Sequence, residues 1–301
     1  MASSIEIRRH IRSVSNIAQV TGAMEMASAS KMTRAQREAI IARSFTDRAW
    51  RLLTHLAAER EDDGQGMLHP LFEQRPVKAI ELLLVTSSRG FCGAMNLSVI
   101  QRAVRFISEQ SVPVTLVTVG SKARDQMLRF GAQIVAEFAG IADEDTLGEF
   151  GTPIAEVLID DYQRGLADAV YMVFARFVNT LVQQPSLRQL LPMPRARAPG
   201  WASTPYVYEP DRKELLADLV PRLVTLQVAM VLRESMASEH SARMVAMRQA
   251  SDNAHDMLDD LTMQANRLRQ RKITQEVLEV SEGAVVAPSY RSSSSKGQDT
   301  H

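Results

Sequence analysis

The chain has 301 residues, of which 45% are hydrophobic and 23% are charged. This length accommodates two domains, or one domain with long extensions, and the composition excludes a collagen, a disordered chain and a disulfide scaffold. Lys and Arg number 35 and Asp and Glu number 35, so the whole chain has no electrostatic preference for nucleic acid or an acidic membrane. The single cysteine, Cys92, excludes an internal disulfide and fits a reducing compartment.

The sequence predicts no membrane span and no secretory signal. No segment approaches the roughly 18 to 20 uncharged apolar residues that a span needs, and the first residues, MASSIEIRRHIRS, lack an apolar centre. We therefore expect any association with a membrane to be peripheral.

Residues 1–58 are predicted to form one long coiled-coil helix. The segment from Ile5 to Ala58 contains no proline, and its only glycine is Gly22. Small and apolar residues recur at alternating spacings of four and three, which is typical of a narrow face against a partner helix. This stripe consists of Ile7, Ile11, Val14, Ala18 and Thr21.

A linker is expected over 59–76, where acidic residues, glycines and prolines interrupt any helical period. Residues 77–200 then predict a Rossmann-like α/β domain, because buried-strand runs begin at Val77, Val112 and Ala132 and alternate with amphipathic helices. A further helix from about Leu147 precedes the strand DAVYMVFARFVN, and SLRQLLPMP is expected to return as an edge strand.

Residues 210–286 predict the second coiled-coil helix, with its regular part starting at about Pro221. A helix of that length spans on the order of 100 Å, which exceeds the width of the α/β domain. The expected fold is therefore a long antiparallel coiled coil of the chain ends with the α/β domain inserted between them. Residues 287–301 are expected to be disordered. The seam is Leu216, Leu219, Leu223, Leu226, Met230, Arg233, Ala237, His240, Met244, Met247, Ser251, Ala254, Leu258, Leu261, Ala265 and Leu268.

After Leu268 the apolar stripe shifts, which indicates that the two-stranded seam ends there. A lone helix cannot bury such a stripe against itself, so it needs a second protein or it frays. Arginine and glutamine side chains precede it. They suggest that carboxylates of a second protein bind this part of the helix, and that an apolar cavity of that protein encloses the stripe that follows. The shifted stripe is Ile273, Val277, Val280 and Ala284, and the donors are Arg267, Arg269, Gln270, Arg271 and Lys272.

The segment VTSSRGFCGAMN, from Val85 to Asn96, lies between a strand and a helix, where doubly wound folds bind phosphates. It lacks the glycine motifs of nucleotide sites, so a structural turn is favoured over a phosphate site. Cys92 has no histidine nearby in sequence and is interpreted as a small packing residue.

Two charged clusters have a structural and a functional interpretation. Several aspartates, Asp252, Asp256, Asp259 and Asp260, can bind a hard cation, but a solvated helix face is favoured. The first helix is basic, which is compatible with nucleic-acid binding. Aromatic side chains on which bases stack are missing, so ion pairing within the molecule is favoured.

Three blocks carry a resemblance to one family. They are IRRHIRSVSNIAQVTGAMEMASASKMTRAQ, SSRGFCGAMN and SEHSARMVAMRQASDNAHDMLDDLTMQANRLRQRKITQEVLEVSEGA. The chain resembles the gamma subunit of F-type ATP synthases over nearly its whole length, and the third block matches the family's C-terminal helix almost position for position.

The resemblance implies a rotating shaft that couples transmembrane proton flow to ATP synthesis or hydrolysis, holds no cofactor and performs no bond chemistry. The implied partners are the alpha and beta subunits of the catalytic hexamer, the epsilon subunit and the membrane c-ring, with no nucleic acid. Arg269, Gln270 and Thr274 fall at positions that contact beta-subunit collar loops, and Met24 at a position facing a beta subunit. A bacterial enzyme on the cytoplasmic side of the plasma membrane is expected.

The sequence departs from the family pattern at three positions. Gly22 stands where lysine is usual, Ser88 replaces an aspartate of the turn, and Ala94 replaces its second glycine. Two other hypotheses stay open from the residues alone: an enzyme that binds phosphate at VTSSRGFCG, and a basic coiled-coil protein that binds nucleic acid.

Overall fold

The computed structural model describes residues 4–58, 69–139, 144–193 and 212–286. Two long helices, α1 (Ser4–Ala58) and α5 (Arg212–Val286), stand at the two ends of the chain. Five strands alternate with shorter helices between them, and a short 3-10 helix, Pro70–Phe72, precedes the first strand. The intervening elements are β1 (Ile80–Val85), α2 (Met95–Glu109), β2 (Val114–Val119), α3 (Ser121–Arg129), β3 (Ile134–Phe138), α4 (Glu144–Gln163), β4 (Ala169–Phe177) and β5 (Gln183–Leu191).

The chain divides into two compact units, and both long helices contribute to each of them. One unit is 1–23 with 248–301, and the other is 24–247. Residues 59–68 of the linker expected over 59–76 lie outside the described residues, and so does the tail 287–301. The end of that linker is anchored, because Leu71 and Phe72 are buried in the core and the Met193 N–H donates to the Leu71 carbonyl.

The predicted stripe of α1 is confirmed by burial. Ile7 and Ala18 are buried, and Ile11, Val14 and Thr21 are partly buried, whereas most of the side chains between them are exposed. Small residues at this face allow the partner helix to approach closely.

The partner in the first unit is the C-terminal part of α5. There the seam residues Ser251 and Ala254 are buried and Leu258, Leu261, Ala265 and Leu268 are partly buried, while nearly all other side chains are exposed. A Cβ built on Gly22 would lie 3.8 Å from the Ser251 Oγ atom. With these two residues facing each other, antiparallel pairing sets Ser4 opposite Arg269, which explains why burial on α5 ends at Leu268.

The middle of the chain forms one five-stranded sheet in the order β3-β2-β1-β4-β5. The first four strands are parallel and β5 pairs antiparallel with β4, as expected for an edge strand. One face, with Leu83, packs with residues of α4 and α5. The other face, with Leu82 and Leu84, packs mainly with residues of α2 and α3. Alternating side chains of each strand therefore serve two separate cores.

The expectation that the regular C-terminal helix begins at about Pro221 is wrong. Helix α5 begins at Arg212, so Pro221 lies inside it. Proline removes one N–H, and the carbonyl that loses its partner belongs to the exposed Ala217, where water can satisfy it. The Thr225 hydroxyl also donates to the Pro221 carbonyl over 3.1 Å.

Helix α5 contains a window that is long and apolar enough to cross a membrane by length and composition alone. A buried core helix passes the same test. Val224, Val228 and Val231 are fully buried in the core beneath the sheet, so packing within the protein accounts for the apolar character of this helix.

Candidate functional site at the exposed end of α5

The C-terminal part of α5 is exposed after the coiled-coil seam ends. Every side chain from Arg269 to Ser281 is exposed, although the backbone stays helical to Val286. Since helical stability in proteins comes mostly from packing of an apolar face, a long exposed stretch with its own apolar residues indicates a binding surface.

Three of the predicted contact residues lie within two turns of this exposed stretch. Arg269, Gln270 and Thr274 are all exposed. Thr274 lies on the same helix face as Gln270, four positions before it, and its hydroxyl donates to the Gln270 carbonyl over 2.9 Å. The exposed Arg269 guanidinium and Gln270 amide carry hydrogen-bond donors, and these suit carboxylate or carbonyl acceptors of another protein.

Apolar side chains occupy the stretch that follows these donors. Ile273 is 52% exposed, Val277 61% and Val280 73%, and Leu278 beside them is 58% exposed. The first three belong to the predicted stripe. Leu278 was outside it, because a single-stripe pattern does not register an apolar residue on an adjacent face. The side chain of Ala284 lies outside the described residues.

Met24, the fourth predicted contact residue, belongs to the other compact unit. It is partly buried and lines a cavity together with the turn 88–91 and α5. The predicted contacts therefore form a group of three on α5 and a separate position on α1.

The turn after β1 is held by its own side chains. Asn96 accepts the Ser87 N–H at 3.1 Å and donates to the Ser87 hydroxyl and to the Cys92 sulfur, the latter over 3.1 Å. Cys92 is 3% exposed, so its interpretation as a packing residue is confirmed. Phe91 adopts a φ of 63°, which is uncommon outside glycine.

Helix α5 crosses the carboxyl edge of the sheet, where open α/β sheets bind ligands at the point of strand reversal. That point lies between β1 and β4. The Ser238 hydroxyl donates to the Ala175 carbonyl over 2.9 Å, and Ser241 donates to Thr180 over 2.7 Å. Helix α5 therefore lies against the carboxyl end of β4 and the turn that follows it.

The two other charged clusters lie in different surroundings. Arg43 of α1 pairs with Glu234, and Arg233 lies 4.0 Å from Glu38, so part of the basic helix is paired within the molecule. The aspartates at 252, 256, 259 and 260 are exposed. Across the described residues no group of three His, Cys, Asp or Glu side chains is placed to hold a metal ion.

Sequence reasoning missed a buried ion pair on α5. Arg243 donates to Glu239 over 2.6 Å and to the Gly90 carbonyl over 3.2 Å, so it ties the turn to α5. The spacing of four residues between acid and base is the signal that identifies such a pair on a helix.

A family model described as ATP synthase matches residues 3–285. The chain is 42% identical over 288 residues to the ATP synthase gamma chain of Dehalococcoides mccartyi, with 94% of this chain and 99% of that relative covered. It is 43% identical over 293 residues to the ATP synthase gamma chain of Chloroflexus aurantiacus, with 96% and 100% covered.

Solved structures share the fold. A chain of the Euglena gracilis mitochondrial ATP synthase superposes with a TM-score of 0.66 at 18% identity, with 99% of both chains covered. A chain of the central stalk and c-ring of the Tetrahymena thermophila mitochondrial enzyme superposes with a TM-score of 0.59 at 22% identity, with 77% of this chain and 99% of that chain covered. The sequence matches span nearly the full length of the chain, and on that ground it belongs to the ATP synthase gamma chain family.

Proposed function

We propose that the chain is the rotating central shaft of an F-type ATP synthase. It couples transmembrane proton flow to ATP synthesis or hydrolysis at the alpha/beta hexamer and carries out no bond chemistry itself. The observation that carries this proposal is the exposed end of α5, where donors and then apolar side chains follow a seam that ends at Leu268.

The exposed end supports seating in a bore formed by other subunits. Arg269, Gln270 and Thr274 would contact acceptors on collar loops of the beta subunits, where charge-assisted hydrogen bonds are strong and specific. Ile273, Val277 and Val280 would then lie in an apolar sleeve below. A rotating shaft must turn inside this sleeve, so its contacts there must not hold it at one angle. Aliphatic side chains meet that need better than long polar side chains, which form directional hydrogen bonds.

A second contact with a beta subunit would lie at Met24 on helix α1. It lies beside the turn 88–91 at the cavity surface. Further partners of the shaft are the alpha subunits, the epsilon subunit and the c-ring. The epsilon subunit and the c-ring would contact the α/β domain.

The sequence identity to the gamma chains of Dehalococcoides mccartyi and Chloroflexus aurantiacus exceeds the identity to the mitochondrial chains. This difference supports a bacterial enzyme that is peripheral to the cytoplasmic face of the plasma membrane.

The test is an image of the intact rotary ATPase from the source cell. We expect density for this chain on the particle axis, with the end of α5 inside the ring of nucleotide-binding subunits. The purified particle should contain one copy of this chain for three copies of each of two larger chains. Absence of the chain from an active particle, or an α5 end outside the bore, would overturn the proposal.

A further inference from the structure

Two serines of α5 bind main-chain carbonyls at the carboxyl end of β4. The Ser238 hydroxyl donates to the Ala175 carbonyl over 2.9 Å, and the Ser241 hydroxyl donates to the Thr180 carbonyl over 2.7 Å. Both serines are fully buried, and all four residues belong to the unit 24–247. Because water does not reach these hydroxyls, neither bond is readily exchanged for a bond to solvent.

The bond from Ser238 satisfies a carbonyl that neither neighbouring strand supplies with a donor. Ala175 is buried and faces Pro185 across the ladder of β4 and β5, and proline has no N–H. On the other side of β4, pairing with β1 ends at Val173. A buried carbonyl without a partner costs free energy, so this bond opposes any movement that draws Ser238 away from β4.

The bond from Ser241 engages a turn that is held by bonds of its own. The Asn179 side-chain oxygen accepts two backbone N–H groups of this turn, each over 2.9 Å. The Gln183 amide donates to the same Thr180 carbonyl over 3.0 Å. Helix α5 is therefore bonded to a braced turn, which moves less than a free loop.

A third bond reaches α5 from another direction. The Arg243 Nε atom donates to the Gly90 carbonyl, in the turn after β1, over 3.2 Å. At about 100° per residue, Ser238 and Ser241 lie about 60° apart around the helix, and Arg243 lies about 140° from Ser238 and about 160° from Ser241. Turning α5 about its own axis would therefore strain bonds on two of its sides.

We propose that the bonds from Ser238, Ser241 and Arg243 form a lock that fixes the angle of the α/β domain about α5. The apolar contacts between α5 and the sheet bring the two together, and the directional hydrogen bonds set the angle between them. The lock is a property of the chain alone, and its use as a joint that transmits torque rests on the shaft role proposed above.

The first test is made on the full chain by double electron–electron resonance between two spin labels. Arg222→Cys on α5 and Gln184→Cys on β5 provide exposed positions for the labels, and the native Cys92 is buried. Rotation of the α/β domain about α5 changes the distance between the labels, so the width of the distance distribution reports how firmly the angle is held.

Ser238→Ala with Ser241→Ala should widen this distribution by about twofold, because both serine bonds are lost. The serines are chosen for the test because Arg243 also serves Glu239. Thr225→Val is the matched control: its hydroxyl donates over 3.1 Å to the Pro221 carbonyl of α5 itself, so its loss should leave the width unchanged.

A conservative variant separates loss of the bond from loss of the fold. Ser241→Thr keeps the hydroxyl and should keep the narrow distribution, with circular dichroism unchanged in every variant. If the double variant does not fold, Ser238→Ala and Ser241→Ala should each show part of the widening. An unchanged width in the alanine variants, or equal widening in Thr225→Val, would overturn the proposal.

The second test is made on the assembled ATPase, fixed through its hexamer and stalled without nucleotide. A rod attached at Arg129→Cys, on the exposed end of α3, reports the angle of the α/β domain. Its angular fluctuation should be wider in the double serine variant than in Thr225→Val. Equal fluctuations would overturn the lock as a torque-bearing joint, whereas a particle that lacks this chain would overturn the proposed function and leave the spin-label result standing.

Discussion

Arg43 on α1 donates hydrogen bonds from Nε and Nη2 to one carboxylate oxygen of Glu234 on α5, with 2.8 Å between Nε and Oε1. The Glu234 side chain is 2% exposed and that of Arg43 is 42% exposed. The other Glu234 oxygen, Oε2, is buried without a hydrogen-bond partner in the described residues. In the part of the chain that the structure describes, the buried carboxylate therefore depends on Arg43 for compensation of its charge.

Arg43→Ala should lower the free energy of unfolding of the full chain by about 1 to 3 kcal/mol, because it leaves a buried carboxylate uncompensated. Urea unfolding measures the change. Arg43→Ala with Glu234→Ala should recover part of the loss, since the second change removes the orphaned charge. Arg222→Ala is the matched control: its pair with Asp218 is exposed on both sides and should contribute less than about 1 kcal/mol. Equal losses in the two arginine variants would contradict the assignment.

Glu81 should make the stability of the fold depend on pH. It lies on the central strand with 1% exposure, and burial, followed by the neighbouring Asp161, raises its pKa to about 9. Between the unfolded pKa of 4.5 and the folded value of about 9 the folded chain holds a proton that the unfolded chain has lost. The free energy of unfolding should therefore fall as pH rises through this window, by at most about 1.4 kcal/mol per pH unit from this group.

Glu81→Gln tests this titration, because glutamine resembles the protonated acid and does not ionise. Urea unfolding between pH 5 and pH 9 should show a smaller loss of stability in the variant than in the parent chain. Glu109→Gln, at an exposed carboxyl on α2, should leave the slope unchanged. A slope that is the same in Glu81→Gln and in the parent chain would mean that Glu81 is ionised in the folded protein.

Gly22→Ala should stabilise the coiled coil. Within the described part of the chain, its Cβ would come close to the Ser251 Oγ atom alone, at an ordinary contact distance of 3.8 Å. Alanine is favoured over glycine in a helix interior by about 1 kcal/mol, so the melting temperature of the full chain should rise. Gly120→Ala provides the opposite case: its Cβ would lie 2.3 Å from the Thr86 carbonyl oxygen at a φ of 88°. That variant should melt earlier, and a Gly22→Ala variant that also melts earlier would show that the helix contact is tighter than this spacing.

Arg269→Ala with Gln270→Ala should lower ATP turnover in the assembled complex and leave assembly mostly intact. Charge-assisted contacts are lost, but the apolar residues Ile273, Val277 and Val280 stay in place. Steady-state ATP hydrolysis measures turnover, and size-exclusion chromatography measures assembly. Arg248→Ala with Gln249→Ala removes the same pair of residue types from an exposed position beside the seam and should have little effect. Unchanged turnover in the Arg269 and Gln270 variant would refute the collar contact.

The periodicity of side chains determined much of this architecture. The stripe from Ile7 to Thr21 and the seam from Ser251 to Leu268 are narrow faces that only pairing with another helix can bury, and the residues of both are buried or partly buried, as the spacing predicts. The end of the seam also predicted where α5 becomes exposed. These features are local, because each depends on residues three or four positions apart on one helix.

The tertiary structure decided the features that depend on residues distant in sequence. In the sequence, Glu81 looks like any other charged residue within a strand. It is the packing of α4 over β1 that buries it beside Asp161. Arg43 and Glu234 are 191 positions apart, and α5 packs against the end of β4 through Ser238, which is 63 positions from its partner Ala175. No local pattern encodes these contacts, since desolvation and charge pairing arise only when separate elements are brought together.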